Sequence, residues 1–169
     1  MEIFFAGGCF WCIEASFAKH FEGIQCTPGY MGGEDPNPSY EQVCMGHTGH
    51  YEVVRIQGEV PFEKLIDAFW RMIDPFDPAG QFNDRGLQYR TAIFYTTEPQ
   101  KAYARKTKDA LQAKTKKTIY TEITDAQPFY AAELYHQRFF KKNPEHYAQY
   151  ENASCRVERL KSIWDDLEK

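Results

Sequence analysis

Between Glu2 and Thr27 the apolar pattern changes period twice. Glu2 to Ala6 is a short apolar run suited to a buried strand. Gly7 and Gly8 break it. From about Phe10 to Phe21, the residues Ile13, Phe17 and Phe21 recur at i, i+4 and i+8, one face of a helix. Gly23 stops that helix, and Ile24 to Thr27 reads as a second strand.

The rest of the chain continues in the same manner. Pro28 to Ser39, rich in Gly, Pro, Asn and Asp, predicts a long loop. Tyr51 to Glu59 alternates as a strand. Pro61 opens a helix as a first-turn residue, with Leu65, Phe69 and Met72 on its apolar face until Asp74-Pro75. Asp74 to Gly86 is a second loop. A strand from Arg90 to Thr96, a helix from Pro99 to about Lys114 and a strand from Thr118 to Ile123 follow. From Ala131 the tendency is helical, broken at Asn143-Pro144 and resumed towards Trp164. This order is α+β. A ferredoxin-like βαββαβ plait with long loops and extra C-terminal helices fits it best. Long loops in compact domains tend to carry function.

A chain of 169 residues is enough for one domain, residues 1–169, with a real core. Its apolar share of 43% argues against disorder. The net charge of -4 argues against nucleic acid as the main partner. No apolar run approaches the roughly 20 residues of a membrane span, and the N-terminus lacks the basic head of a signal peptide. A soluble cytoplasmic monomer is expected. The five cysteines, Cys9, Cys12, Cys26, Cys44 and Cys155, are odd in number and unevenly spaced, unlike a disulfide framework. In a reducing compartment, a close pair suits catalysis, redox exchange or metal binding.

That pair lies in GGCFWC, Gly7 to Cys12. Cys9 falls where a strand turns through two glycines into a helix. The free N–H groups and the dipole there favour a thiolate and a lowered pKa. Cys12, at i+3, shares the face of Cys9 and is a candidate resolving thiol within disulfide reach. A thioredoxin-like Cys-x-x-Cys and half of a zinc site are rival readings. Zinc would need Cys26, Cys44, His47 or His50 to complete the set, and no second Cys-x-x-Cys exists. Phe10 and Trp11 are either core aromatics or an apolar cup for a methyl or thioether group. In PSYEQVCMGHTGHYE (Pro38 to Glu52), Glu52 sits at a loop-to-strand junction. Turned inward beside aromatics, it would hold a proton at neutral pH and serve as an acid. His47 and His50 read as surface or loop-bracing residues. The basic run from Lys101 to Lys117 reads as a solvated helix face.

GGCFWC, PSYEQVCMGHTGHYE and QFNDRGLQYR (Gln81 to Arg90) together resemble the A-type methionine sulfoxide reductases, with a weaker likeness in AAELYHQRFFKKNPEHY (Ala131 to Tyr147). Order and approximate spacing match over nearly the whole chain. The resemblance implies reduction of the S epimer of methionine sulfoxide, free or in proteins. It implies Cys9 as nucleophile, Glu52 as acid, and Tyr40 and Tyr89 as tyrosines that bind the sulfoxide oxygen. It further implies Phe10 and Trp11 as the methyl pocket and Asp84 as a supporting acid. No cofactor is implied beyond an external dithiol, thioredoxin or dithiothreitol. Many members carry Gly where Cys12 stands and resolve through cysteines in a Gly-rich tail, which this sequence lacks after Cys155. The resolving role is therefore expected of Cys12, with Cys155 as the alternative.

Overall fold

The computed structural model describes residues 1–168. In chain order, the first elements are β1 (Glu2–Gly7), α1 (Phe10–His20), β2 (Ile24–Met31), α2 (Tyr40–Cys44), β3 (Tyr51–Gly58) and α3 (Phe62–Trp70). Two short strands, β4 (Gly80–Gln81) and β5 (Asp84–Arg85), and a 3-10 turn at Leu87–Tyr89 precede β6 (Thr91–Tyr95). Then come α4 (Glu98–Thr115), β7 (Glu122–Asp125), β8 (Tyr130–Ala131) and a 3-10 turn at Leu134–His136. Three helices end the chain: α5 (Phe139–Lys142), α6 (Pro144–Ser154) and α7 (Arg156–Leu167).

The main sheet has the order β7-β6-β1-β3-β2-β8. β1 runs antiparallel to β3 and β6, and β2 antiparallel to β3. So β1 and β2 are parallel with β3 between them, and β3 and β6 are parallel with β1 between them. These are two interleaved βαβ crossings, through α1 and α3, and they form the plait the strand order predicts. β7 adds a parallel strand beside β6, and β8 closes the other edge.

Alternation along β1 divides the core. Ile3 and Phe5 point to the face covered by α1 and α3, where they meet Ile13, Phe17, Leu65 and Phe69. Phe5 stacks on Phe17 at 5.0 Å and lies 4.7 Å from Phe69. Phe4 and Ala6 point to the other face, with Tyr51, Val53 and Phe94. Each fully buried aromatic contributes about 1.5–3 kcal/mol of transfer free energy, so slipping β1 by one residue would expose a whole row.

Several boundaries differ from the sequence expectation. β2 continues past Thr27 to Met31, so the loop starts later than Pro28. Pro28 stays in the ladder opposite Val54 of β3; on its other side its carbonyl accepts from Ala132 N–H at 2.9 Å, where β8 pairs only from Gly29 onward. Pro61 is the residue before α3 rather than its first turn. The strand expected at Thr118–Ile123 is shifted to β7. Its first residues bond elsewhere: Ile119 N–H donates to the Gln112 side chain and Tyr120 N–H to the Pro75 carbonyl. The second loop contains the β4–β5 hairpin, and the segment from Ala131 begins in β8 rather than in a helix.

Candidate active site

Antiparallel pairing sets where the site forms. Phe5 pairs with Val54, so two steps on Gly7 faces Glu52, while Gly7 itself pairs with Thr91. The end of β1 and the starts of β3 and β6 therefore meet at one edge. The segments feeding β3 and β6 carry Tyr40 and Tyr89 to that edge. The hinge between β1 and α1 is tight. Gly8 has φ +88°, and a Cβ there would lie 2.7 Å from Gln81 Cβ. At Gly7 a Cβ would lie 2.5 Å from Ile13 Cδ1.

Cys9 is the N-cap of α1, its carbonyl accepting from the Cys12 and Ile13 N–H groups. Both thiols are free and buried, and they are hydrogen-bonded to each other. The helix terminus does not lower the Cys9 pKa as the sequence argument expects. Burial pushes it well above the usual thiol range, helped by the hydrogen bond to Cys12 and by the negative charges of Cys12, Glu52 and Asp84. The lowered thiol is Cys12. The hydrogen bond from Cys9 dominates there, outweighing burial, and the Arg156 charge and a hydrogen bond with Tyr147 add to it. Cys9 thus keeps its proton and directs it at the Cys12 sulfur.

Glu52, the second residue of β3, is 2% exposed. Its Oε1 accepts from Phe10 N–H at 3.1 Å, at the first turn of α1. Burial dominates its pKa, which is pushed to about 8, so the carboxyl carries a proton at neutral pH. Tyr40 and Tyr89 both hydrogen-bond with the Cys44 thiol and both feel the charge of Glu52. Burial, the largest cause in each, lifts both phenols well above their ordinary range, so they remain O–H donors. Tyr40 opens α2 behind a Ser39–Gln42 capping box, and its N–H is held by Glu133 at 3.0 Å. Asp84 accepts a hydrogen bond from the Tyr150 hydroxyl.

Phe10 is buried against Tyr30, Tyr40 and His136. Trp11 lies flat on Phe139, with centroids 3.9 Å apart, and meets Tyr150 edge-on at 5.6 Å. Its indole N–H donates to His136 Nδ1 at 3.0 Å. That bond sets the proton of the imidazole on Nε2, and burial keeps the ring neutral.

The structure thus brings Cys9, Cys12, Phe10, Trp11, Tyr40, Glu52, Asp84 and Tyr89 to one edge. Sequence reasoning assigned no role to His136, Phe139, Tyr147, Tyr150 or Arg156. The signals were faint but present. Tyr147 and Tyr150 lie three apart on one helix face, and a buried indole requires an acceptor. His50 is a loop brace, bonding Gly33 N–H and the Asp35 carbonyl, while His47 is exposed. The further ligands a zinc reading would need are dispersed: Cys26 sits on β2 and Cys44 beside Tyr40. Among the described residues no group of three or more His, Cys, Asp or Glu could hold a metal ion. No described helix is long and apolar enough to cross a membrane.

Two thiols in hydrogen-bond contact can pass between dithiol and disulfide, and a proton-bearing carboxyl beside them can release a poor leaving oxygen. This defines a cysteine-dependent oxidoreductase. The family model described as peptide methionine sulfoxide reductase matches residues 1–168. A peptide methionine sulfoxide reductase MsrA of Bacillus velezensis is 47% identical over 167 residues, covering 96% of this chain and 94% of the relative. The MsrA of Halalkalibacterium halodurans is 51% identical over 166 residues, covering 95% and 94%. Among solved structures, reduced Mxr1 from Saccharomyces cerevisiae superposes with a TM-score of 0.81 at 33% identity, covering 86% of each chain. Mxr1 has also been crystallised in complex with Trx2. The chain belongs to the peptide methionine sulfoxide reductase family, oxidoreductases that reduce methionine sulfoxide.

Proposed function

We propose that this enzyme, acting as a monomeric single catalytic domain, reduces the S epimer of methionine sulfoxide, free or in oxidised proteins, through Cys9. The observation that carries the reading is the buried, protonated Glu52 held against the first turn of the helix that Cys9 caps.

The sulfoxide sulfur is electrophilic, but its oxygen leaves only when protonated. Glu52 passes its proton to that oxygen as the Cys9 sulfur attacks, and the Cys9 proton returns to Glu52. The attack joins the two sulfurs in a transient bond; the S–O bond of the substrate then breaks, an S–O bond to Cys9 forms, and the bond between the sulfurs breaks. Methionine leaves, and Cys9 becomes a sulfenic acid. The substrate is reduced by two electrons and Cys9 is oxidised by two. Tyr40 and Tyr89, held as O–H donors, stabilise the oxygen as it gains charge. Phe10 and Trp11 seat the methyl group, with Trp11 fixed by His136 and Phe139. Asp84 supports the site through Tyr150.

Cys12 then attacks the Cys9 sulfur, giving a Cys9–Cys12 disulfide and water. An external dithiol reduces the disulfide by exchange. A thioredoxin fills that role, as the complex of Mxr1 with Trx2 suggests. Five free thiols suit a reducing compartment such as the cytoplasm.

The test is methionine release from an S-sulfoxide peptide with dithiothreitol. The wild type turns over and Cys9→Ser does not. Full activity in Cys9→Ser, or equal activity on the R epimer, overturns the proposal.

A further inference from the structure

Pro28 decides how one outer edge of the main sheet ends. β8 meets β2 at Gly29 and Tyr30. One step further, Ala132 N–H donates to the Pro28 carbonyl at 2.9 Å, but Pro28 has no N–H to give back. The Gln137 side chain takes that place. Its Nε2 donates to the Ala132 carbonyl at 3.0 Å and to the Pro28 carbonyl at 3.1 Å. The β8 ladder stops there. Backbone groups alternate in direction along a strand, so Cys26 and Ile24 point their N–H and C=O groups the same way as Pro28. β3 lies on the inner side of β2, and among the described residues no strand or turn pairs with Cys26 or Ile24 on the outer side. Ile24 to Thr27 is therefore an open edge.

A groove of about 640 Å³ lies against this edge. Its lining comes from both sides of the sheet. Cys26 and Glu14 lie on the side of α1, while Thr27 and Arg55 lie on the other, where Arg55 sits over the Phe129 ring. A space lined from both sides is at the edge itself, where one more strand would lie. Its charge is one-sided. Arg55, Arg138 and Lys141 line it, and among the described residues the buried Arg55 Nε has no hydrogen-bond partner. The one carboxyl in the lining, Glu14, is 1% exposed and accepts from Arg138 N–H at 2.8 Å. Burial pushes its pKa to about 7, so it carries about half a charge at neutral pH. Phe21, Leu134 and Phe140 supply apolar walls, and Leu134 is 82% exposed. This local excess of cations stands on a chain whose net charge is -4.

We propose that this groove docks an extended, acidic polypeptide segment, which adds as a further strand beside Ile24 to Thr27. Cys26 and Ile24 supply the main-chain hydrogen bonds, and Arg55, Arg138 and Lys141 select acidic side chains. The same cations disfavour a second copy of this chain edge to edge, because its groove would bring like charges together. The surface is separate from the catalytic edge. β2 runs from the groove to Tyr30, which pairs with Glu52 and lies four residues, about 13 Å, beyond Cys26. The turn Leu134–His136 stands between the two, with Leu134 on the groove and His136 against Phe10. Docking there needs nothing of the sulfoxide chemistry.

The probe is an acetylated, amidated Glu-Val-Glu-Val-Glu peptide, which contains no sulfur, added to the isotope-labelled full chain. Amide chemical shifts should show saturable binding tighter than about 1 mM, with the Ile24 and Cys26 amides among the most displaced. The same peptide N-methylated at every residue cannot pair with a strand edge and should bind about tenfold more weakly or worse. A Lys-Val-Lys-Val-Lys peptide should not saturate. Lys141→Glu, at an exposed position, should weaken the acidic peptide by about three- to tenfold while keeping the wild-type Tm and methionine release. Binding that N-methylation does not weaken is charge attraction alone and overturns the proposal. So do equal affinity for the lysine peptide, unchanged affinity in Lys141→Glu, or no saturation at about 1 mM. Shifts centred on Tyr40, Glu52 and Tyr89 place the peptide in the catalytic edge and overturn it as well. A dimer in sedimentation whose contacts map to Ile24 to Thr27 does the same, since a second copy then fills the edge.

Discussion

Replacing Glu52 by Gln separates two things the carboxyl does. The amide oxygen still accepts from Phe10 N–H, now 3.1 Å from Oε1, and the volume is unchanged. What is lost is the transferable proton. With its pKa pushed to about 8, the carboxyl is roughly nine-tenths protonated at pH 7. General acids of this kind contribute about 10²–10⁴ in rate. Single-turnover methionine formation, measured by rapid quench from pH 6 to 10, should therefore fall about 10²–10⁴-fold in Glu52→Gln. The wild-type rate should decline as pH rises through 8, about tenfold per unit beyond it, while the variant shows no bend there.

Stability should move the other way. The folded pKa lies above the unfolded value of 4.5, so the folded state holds this proton more tightly. Stability is present below about 4.5 and is lost progressively as pH rises towards 8. At pH 7 the loss is about 3 kcal/mol. Gln has no such dependence, so the variant should melt above the wild type at pH 8, with the gap closing near pH 4.5. A variant as fast as wild type, one that keeps the bend near pH 8, or one that melts below wild type at pH 8 would refute this reasoning.

Cys12→Ser should give a stoichiometric burst of methionine in rapid-quench assays but lose steady turnover with thioredoxin as reductant; undiminished turnover would move the resolving role to another cysteine. Lys116 closes α4 in the left-handed region, at φ 56° and ψ 25°, and is exposed. Lys116→Gly should add about 1 kcal/mol and raise Tm by roughly 2–4 °C in calorimetry.

The plait was legible because Ile13 and Phe17, and Leu65 and Phe69, carry a helical period between strand-like runs, and those residues do form the core. Boundaries failed where distant backbone decided them. Pro28 remains in a strand because it pairs with Val54 of β3, and Ile119 and Tyr120 stay out of the sheet, bonded to Gln112 and Pro75. The residues around Cys9 were legible as motifs, but their electrostatics were not. A helix terminus favours a thiolate, yet burial and the neighbouring anions dominate at Cys9. The roof of the site was hidden because Tyr147, Tyr150 and Arg156 act across more than a hundred residues of chain, where local periodicity carries no information.

That separation has a consequence in time. Gly7, two residues before Cys9, and its anchor Arg156 are 149 positions apart. At a translation rate of about 5–20 residues per second, the thiol pair leaves the ribosome about 7–30 s before the helices that cover it. An enzyme whose finished form shelters its thiols is made with them uncovered. The newly synthesised chain is therefore the form in which oxidants or stray disulfide exchange reach Cys9 and Cys12 most easily, and the arrival of α6 and α7 ends that exposure.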